Sequence, residues 1–149
     1  MHISDRHTNI VASFLFLTEG NKVLLVKRAN TGYHDGDYSL TAGHVDPGET
    51  YTQAMIRETK EEIGITLKEE DIEVVHIQHR KSSTDGSERV DAYFSVDKWD
   101  GEIVNCEEDK CSDISWFDLD DLPENMVPCV KLAINSIRKK KHYSEYGWK

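Results

Sequence analysis

The sequence is poor in the residues that staple or stiffen small proteins. It contains only 3 cysteines and 3 prolines among 149 residues. An odd number of cysteines without a Cys-x-x-Cys pair argues against a disulfide framework and an ordinary zinc site. We therefore expect Cys106, Cys111 and Cys129 to be reduced and to pack as small buried hydrophobic residues, which is typical of a cytoplasmic protein.

Long apolar runs are also missing, and none approaches the ~20 residues of a membrane-spanning helix. Residues 1–5 lack the basic and apolar regions of a signal peptide. We therefore expect a protein that does not enter the membrane and that is located in the cytoplasm.

Positive charge is in short supply, since 18 Lys and Arg face 28 Asp and Glu and the formal net charge is −10. So acidic a chain repels a polyanion, which argues against a broad surface for DNA or RNA. An anionic small molecule would need metal ions or a local group of cations to approach. With 38% hydrophobic residues and no repeat or linker, residues 1–149 are expected to form one globular domain.

The most unusual pattern that is present lies at residues 43–65, GHVDPGETYTQAMIRETKEEIGI. Thr50 and Gln53 have the spacing of a capping box, which marks the start of a helix. Gly64 is placed to end that helix in the left-handed conformation. Together with apolar residues at helical spacing, these signals predict an α-helix over residues 51–63.

Three carboxylates, those of Glu58, Glu61 and Glu62, share one face of the predicted helix. Like charges at these spacings cost about 0.2–0.5 kcal/mol per pair, and Arg57 can offset only part of this repulsion. A divalent cation such as Mg²⁺ would accept all three groups, because hard cations prefer carboxylate oxygens. The alternative interpretation is a helix face that is simply solvated.

The complete spacing is more specific than the helix alone. It comprises Gly43, Glu49, Arg57, Glu58, Glu61, Glu62, Gly64 and Ile65. This pattern resembles the signature of the Nudix (MutT-type) hydrolases. One position departs from that signature, because Thr59 stands where the family usually has an aliphatic residue. We expect the Thr59 hydroxyl to bond back to the preceding turn at a small packing cost.

The resemblance implies a fold, an activity and a cofactor. Strands on both sides of the helix and a second helix late in the chain already suit an α+β sandwich. The resemblance makes this a Nudix-type α/β/α sandwich with a mixed β-sheet between helices. The implied activity is metal-dependent hydrolysis of a pyrophosphate bond in nucleoside diphosphate-linked compounds. The cofactor would be Mg²⁺ or Mn²⁺, since such a cation neutralises phosphates and lowers the pKa of bound water.

The resemblance also implies roles for individual residues. The implied metal ligands are the carbonyl oxygen of Gly43 and the carboxylates of Glu58, Glu61 and Glu62. Arg57 would orient these carboxylates, and Glu49 would hold Arg57 or reach a metal through water. The general base is either a glutamate of this motif or a carboxylate of the later acidic loop, residues 105–109.

Within that acidic loop Glu107 is the favoured ligand or base, with Glu108 as the near alternative. The competing interpretation is a loop whose carboxylates are only solvated. By resemblance Arg28, at the end of a predicted strand, would face the substrate phosphates, although a solvated strand end fits equally well. His44 is expected near the substrate, and Asn125 is expected to read a nucleobase edge, with an alignment uncertain by one residue.

The remaining pattern predicts strands over residues 10–17, 22–26, 72–79, 89–96 and 114–117, and a second helix that opens at Pro128. His76 and His79 are three apart on one strand, which sends them to opposite faces and argues against a shared metal. The aromatic tail of Tyr143, Tyr146 and Trp148 is expected to dock either on the domain or on a second copy of the chain in a homodimer.

The family resemblance alone does not say which nucleotide is the substrate, but one segment of the chain favours a class. Between His79 and Thr84 the chain has neither the proline nor the tyrosine that marks some ADP-ribose and dinucleoside-polyphosphate hydrolases. This favours nucleoside triphosphates, oxidised ones included, cleaved to a nucleoside monophosphate and pyrophosphate. The alternatives are a hydrolase of ADP-ribose or another nucleotide sugar, and a catalytically silent nucleotide-sensing module.

Overall fold

The computed structural model describes residues 5–149. Residues 1–4 lie outside the described range, so the expectation that the chain begins without a signal peptide stays a prediction. The α-helices are α1 (Tyr51–Ile63) and α2 (Pro128–Arg138), and a 3₁₀ turn covers Glu69–Asp71. The strands are β1 (Ile10–Leu15), β2 (Thr18–Glu19), β3 (Lys22–Arg28), β4 (Tyr38–Ser39), β5 (Thr41–His44), β6 (Ile72–Lys81), β7 (Glu88–Val96), β8 (Cys111–Asp118) and β9 (Tyr143–Tyr146).

The larger sheet has five strands in the order β5-β1-β7-β6-β9. β1 runs parallel to β7 and β6 runs parallel to β9, whereas the other two pairs are antiparallel. The smaller sheet forms around β3, which pairs along its length with β8 and near its ends with β2 and β4. The larger sheet is therefore mixed, as predicted.

The helices pack on opposite sides of the two sheets. Because successive strand residues point to opposite faces, neighbouring side chains of β3 belong to different cores. Leu24 packs in one core with Met55 of α1, and the adjacent Leu25 packs in the other core with Ile134 of α2. This arrangement confirms the predicted α/β/α sandwich.

Helix α1 has the predicted bounds because its start and stop signals are local. The Thr50 hydroxyl accepts a hydrogen bond from the backbone N–H of Gln53, and the Gln53 side-chain oxygen accepts one from the backbone N–H of Thr50. Gly64 ends the helix in the left-handed conformation, at φ 78°. Thr59 differs from its expectation. Its side chain is fully buried, yet its hydroxyl has no hydrogen-bond partner among the described residues, so the expected bond back to the preceding turn is absent.

Three parts of the two sheets were not predicted from the sequence, namely β2, the segment with β4 and β5, and β9. Residues 38–44 form β4 and β5, and β5 pairs with β1 so that Gly43 lies opposite Ser13. The aromatic tail contains β9, which pairs in parallel with β6, and Trp148 donates its indole N–H to the carbonyl oxygen of His79 at 3.1 Å. The tail therefore docks on its own domain, while the homodimer stays a prediction.

The three cysteines are free, but they are not all buried. Cys129 lies in the core, Cys111 is half-buried and Cys106 is exposed, so the expectation of burial was wrong for Cys106. Within residues 5–149, neither α1 nor α2 is long and apolar enough to cross a membrane.

Candidate active site

Arg57 on α1 is the centre of the ion pairs around the motif. Its Nε donates to one oxygen of Glu49 at 2.7 Å and its Nη2 donates to the other at 2.9 Å. Its Nη1 donates to Glu58 at 2.7 Å and to Glu61 at 3.5 Å. Nη2 also donates to the carbonyl oxygen of His44 at 3.1 Å. Arg57 thus ties β5 to α1 and orients three carboxylates, and its bonds hold the pKa of Glu49 at about 2.

Gly43 of β5 lies directly against Glu58. A Cβ atom added at Gly43 would come within 2.1 Å of the Glu58 carboxyl carbon, far inside van der Waals contact. A side chain at position 43 would therefore displace the Glu58 carboxylate, so glycine allows this carboxylate to lie against β5. This contact brings the backbone of β5 to the carboxylates of α1.

Glu62 lies on the same side of α1, beside Glu58. One of its carboxylate oxygens accepts from the backbone N–H of Ala42 at 3.3 Å. Burial, reinforced by the hydrogen bond and charge of Glu58, raises the pKa of Glu62 to about 9. Two carboxylates this close cannot both be charged without repulsion, so this pair needs a proton or a cation between its oxygens.

The carboxylates of α1 are not arranged around a common point. Within residues 5–149 no three Asp, Glu, His or Cys side chains are placed so that they could hold a metal ion. Arg57 forms ion pairs with both Glu58 and Glu61, and Glu62 accepts from Ala42. The donor set is nevertheless all oxygen and shares one helix face, which fits a hard divalent cation. A coordinating arrangement would require these side chains to rotate.

Glu107, from the loop before β8, shares a cavity with this group. The cavity measures about 180 Å³ and is lined by Glu62 and Glu107 together with Lys27, Arg28 and Lys110. Burial raises the pKa of Glu107, although Lys110 opposes the shift. Its neighbour Glu108 is exposed and does not line the cavity. The structure therefore places Glu107 beside the motif, while its role as a base stays a prediction.

A second cavity of about 150 Å³ adjoins the first, because Arg28 and Ala42 line both. We name it the arginine pocket after its defining residues Arg28, Arg80 and Arg89. Gly43 and His44 line its edge, so it begins at the motif. Its walls also carry the aromatic rings of Phe14 and Tyr33 and apolar side chains of α2.

Sequence reasoning missed two members of this pocket, Arg80 and Arg89. A signal was available, since both lie at adjoining ends of the two strands predicted over residues 72–79 and 89–96. Asn125 is placed elsewhere. Its side-chain amide donates to the carbonyl oxygen of Gly36 at 2.9 Å, and it does not line the arginine pocket. Its proposed contact with a base would require that bond to break.

Comparison with known proteins shows the family. A model of the NUDIX domain matches residues 7–135. The chain belongs to the Nudix family. Family members are pyrophosphohydrolases that act on nucleotide-linked compounds, and they generally use divalent metal ions. The resemblance carried by residues 43–65 is thereby confirmed.

Individual relatives differ in their names and lengths. The NAD-capped RNA hydrolase NudC of Pseudomonas fluorescens is 34% identical over 110 residues, which cover 73% of this chain and 36% of that protein. The ADP-ribose pyrophosphatase of Methanocaldococcus jannaschii is 33% identical over 127 residues, which cover 83% of this chain and 70% of that protein. The Nudix chain thus spans only about a third of that NudC relative.

Solved structures agree with the fold. The MutT NUDIX hydrolase from Burkholderia pseudomallei superposes with a TM-score of 0.79 at 26% identity, covering 87% of this chain and 98% of that chain. A MutT protein from Methanosarcina mazei gives a TM-score of 0.76 at 18% identity, with 89% of this chain and 94% of that chain covered. The second likeness shows the fold alone.

Proposed function

We propose that this Nudix protein is a metal-dependent hydrolase that cleaves the pyrophosphate bond of a nucleoside diphosphate-linked compound. The observation that carries the proposal is the packing of Gly43 against Glu58, with Glu62 and Glu107 facing one cavity beside them. Carboxylates gathered around a small basic cavity suit the binding of phosphate groups together with a cation.

The residues that would hold the cation are the Gly43 carbonyl, Glu58, Glu61 and Glu62. A bound Mg²⁺ or Mn²⁺ would neutralise phosphate charge and lower the pKa of water. Arg57 fixes the orientation of the carboxylates through its bonds to Glu49 and Glu58.

The residues that line the cavity of Glu107 would bind the phosphates and transfer the proton. Lys27, Arg28 and Lys110 supply positive charge on its wall and would hold the phosphates that flank the scissile bond. Glu107 would take the proton of the attacking water, because its raised pKa suits a general base. The alternative base is a glutamate of the motif itself.

Nucleoside triphosphates, oxidised ones included, are the first candidate substrates, because the segment between His79 and Thr84 lacks the marker residues described above. ADP-ribose and related dinucleotides are the second candidate, favoured by the names of the relatives from M. jannaschii and P. fluorescens. The P. fluorescens relative is named as a hydrolase of NAD-capped RNA, which argues against our expectation that nucleic acid is not a partner. The net charge of −10 still favours small nucleotides over a long RNA.

A side-by-side assay tests the proposal. Purified protein is incubated with a series of nucleoside triphosphates, ADP-ribose or NAD, in the presence of Mg²⁺, Mn²⁺ or a chelator, and the products are identified by mass. We expect a nucleoside triphosphate to be cleaved to the monophosphate and pyrophosphate with a higher kcat/KM than ADP-ribose. Chelation should stop the reaction.

The matched variants are Glu62→Gln and Glu108→Gln, which each replace a carboxyl group by an amide of the same shape. Glu62→Gln should lose most turnover while keeping the melting temperature, whereas Glu108→Gln should behave as the wild type. A clear preference for ADP-ribose would support the second candidate instead. Failure to cleave any of these compounds with either metal would favour the silent nucleotide-sensing module.

A further inference from the structure

Arg80 is buried in the arginine pocket with unused donors. Only 8% of its side chain is exposed, and its Nε donates to Asp91, whose side chain is fully buried. No hydrogen bond from either terminal nitrogen of Arg80 to another residue in the range 5–149 is found. A guanidinium carries five N–H donors, so most of its bonding capacity is open to a ligand.

The position of Arg89 makes the arrangement unfavourable for the protein alone. Arg80 and Arg89 are direct cross-strand partners on β6 and β7. Like charges directly opposite each other destabilise a sheet. Asp91 offsets the charge of Arg80, but within residues 5–149 the only carboxylate in ion-pair range of Arg89 is that of Asp85, at 3.5 Å, and the Asp85 side chain is 54% exposed. Arg89 also donates from Nε to the Ser87 hydroxyl at 2.9 Å, and its Nη1 lies 3.3 Å from Nε2 of His44. Packing alone gives no reason for this pair of arginines.

Arg28 adds a third guanidinium to the same cavity. It is held in place by neutral groups, since its Nε donates to the carbonyl oxygen of Tyr33 at 2.7 Å and its Nη2 donates to the Thr31 hydroxyl at 3.1 Å. No carboxylate within residues 5–149 lies in ion-pair range of Arg28. The arginine pocket is therefore positive in a chain whose net charge is −10.

We propose that the arginine pocket binds a second phosphate group, one carried by the nucleoside part of the substrate and separate from the diphosphate that is cleaved. This inference rests on the proposed function, which places the cleaved diphosphate in the neighbouring cavity beside Glu62 and Glu107. Guanidinium groups bind phosphate through paired, charge-assisted hydrogen bonds. Tyr33 and Phe14 line the same pocket and add apolar surface to it, which suits the nucleoside.

Within the proposed class of nucleotides, the subsite therefore favours one whose ribose carries a phosphate in addition to its 5′-phosphate chain. The alternative occupant of the pocket is a nucleoside without this additional phosphate. The arginines would then donate to the neutral acceptor atoms of its base. The two occupants differ by one phosphate group, so matched ligands separate them.

The test measures binding rather than catalysis. The affinities of 5′-AMP, adenosine 2′,5′-bisphosphate and adenosine 3′,5′-bisphosphate are determined by calorimetry in the absence of divalent cations. We expect at least one bisphosphate to bind at least ~10-fold more tightly than 5′-AMP, since charge-assisted bonds are the strong ones. Arg89→Gln should bring that ratio close to one.

Two further variants complete the design. Arg80→Lys keeps a charge next to buried Asp91 but removes the planar donors, so it should also reduce the ratio. Arg138→Gln removes an arginine that pairs with Asp120 on the surface and lines neither cavity, so the ratio should remain that of the wild type. A change caused only by lost net charge would appear in Arg138→Gln as well and would overturn the proposal.

Equal affinity for all three nucleotides, or no measurable binding of either bisphosphate, would also overturn the proposal. Because the measurement needs no turnover, its outcome is independent of the hydrolysis assay. A protein that cleaves nucleotides but shows a ratio of one has the proposed function without this subsite. A protein that prefers a bisphosphate but cleaves nothing has the subsite without the proposed function.

Discussion

Glu107 is the residue whose assignment depends most on the tertiary structure. A general base contributes typically ~10²–10⁴-fold to the rate, whereas a solvated loop carboxylate contributes almost nothing. Because Glu107 lines the cavity and Glu108 does not, we predict that Glu107→Gln lowers kcat at least ~10-fold with little change in melting temperature.

Glu108→Gln is the matched control for this prediction, since it makes the same substitution one residue along the same loop. It should leave kcat close to that of the wild type under saturating metal. If Glu108→Gln is the damaging change, the functional carboxylate of the loop is Glu108. If neither variant is impaired, the motif on α1 supplies the base by itself.

Thr59 is a second residue at which sequence and structure differ. Its buried hydroxyl lacks a partner among the described residues, and such an unpaired group costs about 1–3 kcal/mol. We predict that Thr59→Val, which keeps the shape and removes the hydroxyl, raises the free energy of unfolding by ~1 kcal/mol. Urea unfolding measures the change, and Thr52→Val, on a partly exposed position of the same helix, should change stability little. Equal effects of both variants would contradict this account.

At the scale of elements, the difference between α1 and β9 is instructive. Helix α1 was predicted to the residue because Thr50, Gln53 and Gly64 lie next to the turns that they cap. Strand β9 was not predicted, because its pairing partner β6 lies more than sixty residues earlier in the chain. Strand pairing at that separation has no local signal, so the aromatic pattern of the tail indicated docking but not a strand.

His76 links β6 to the segment that carries β9. It is 1% exposed, its Nδ1 contacts the carbonyl oxygen of Lys141 at 2.9 Å, and its Nε2 contacts the hydroxyl of Ser144 at 2.7 Å. A carbonyl oxygen can only accept, so Nδ1 donates to Lys141, whereas the Ser144 hydroxyl can donate to Nε2 or accept from it. Burial lowers the pKa of His76 below its ordinary value of 6.5.

A lowered histidine pKa gives a defined pH dependence. Below about pH 6.5 the unfolded chain binds a proton at His76 that the folded protein resists, so stability is present above this pH and is lost on acidification. We predict that the free energy of unfolding falls from about pH 7.5 to about pH 5.5, with His76 contributing at most ~1.4 kcal/mol per pH unit. His76→Gln should flatten this slope. A slope unchanged by His76→Gln would contradict the prediction.

At the scale of the whole molecule, charge is distributed unevenly. The chain carries a formal charge of −10, yet the cavity of Glu107 includes Lys27 and Lys110, and the arginine pocket beside it gathers three guanidinium groups. A negative molecule with a local positive cleft attracts small anions to that cleft and repels long polyanions elsewhere. The negative charge of the whole chain was evident from its composition, but the positive charge of these two cavities was not.

The sequence by itself determined the family, the bounds of α1 and the set of oxygen donors on that helix. These features are encoded by residues a few positions apart, so spacing alone reveals them. Only the tertiary structure decided that Glu107 rather than Glu108 lines the cavity, that Gly43 packs against Glu58, and that the arginine pocket exists. These contacts join strands and loops distant in the chain, and the pairing of those strands is decided by packing between the helices rather than by any local pattern.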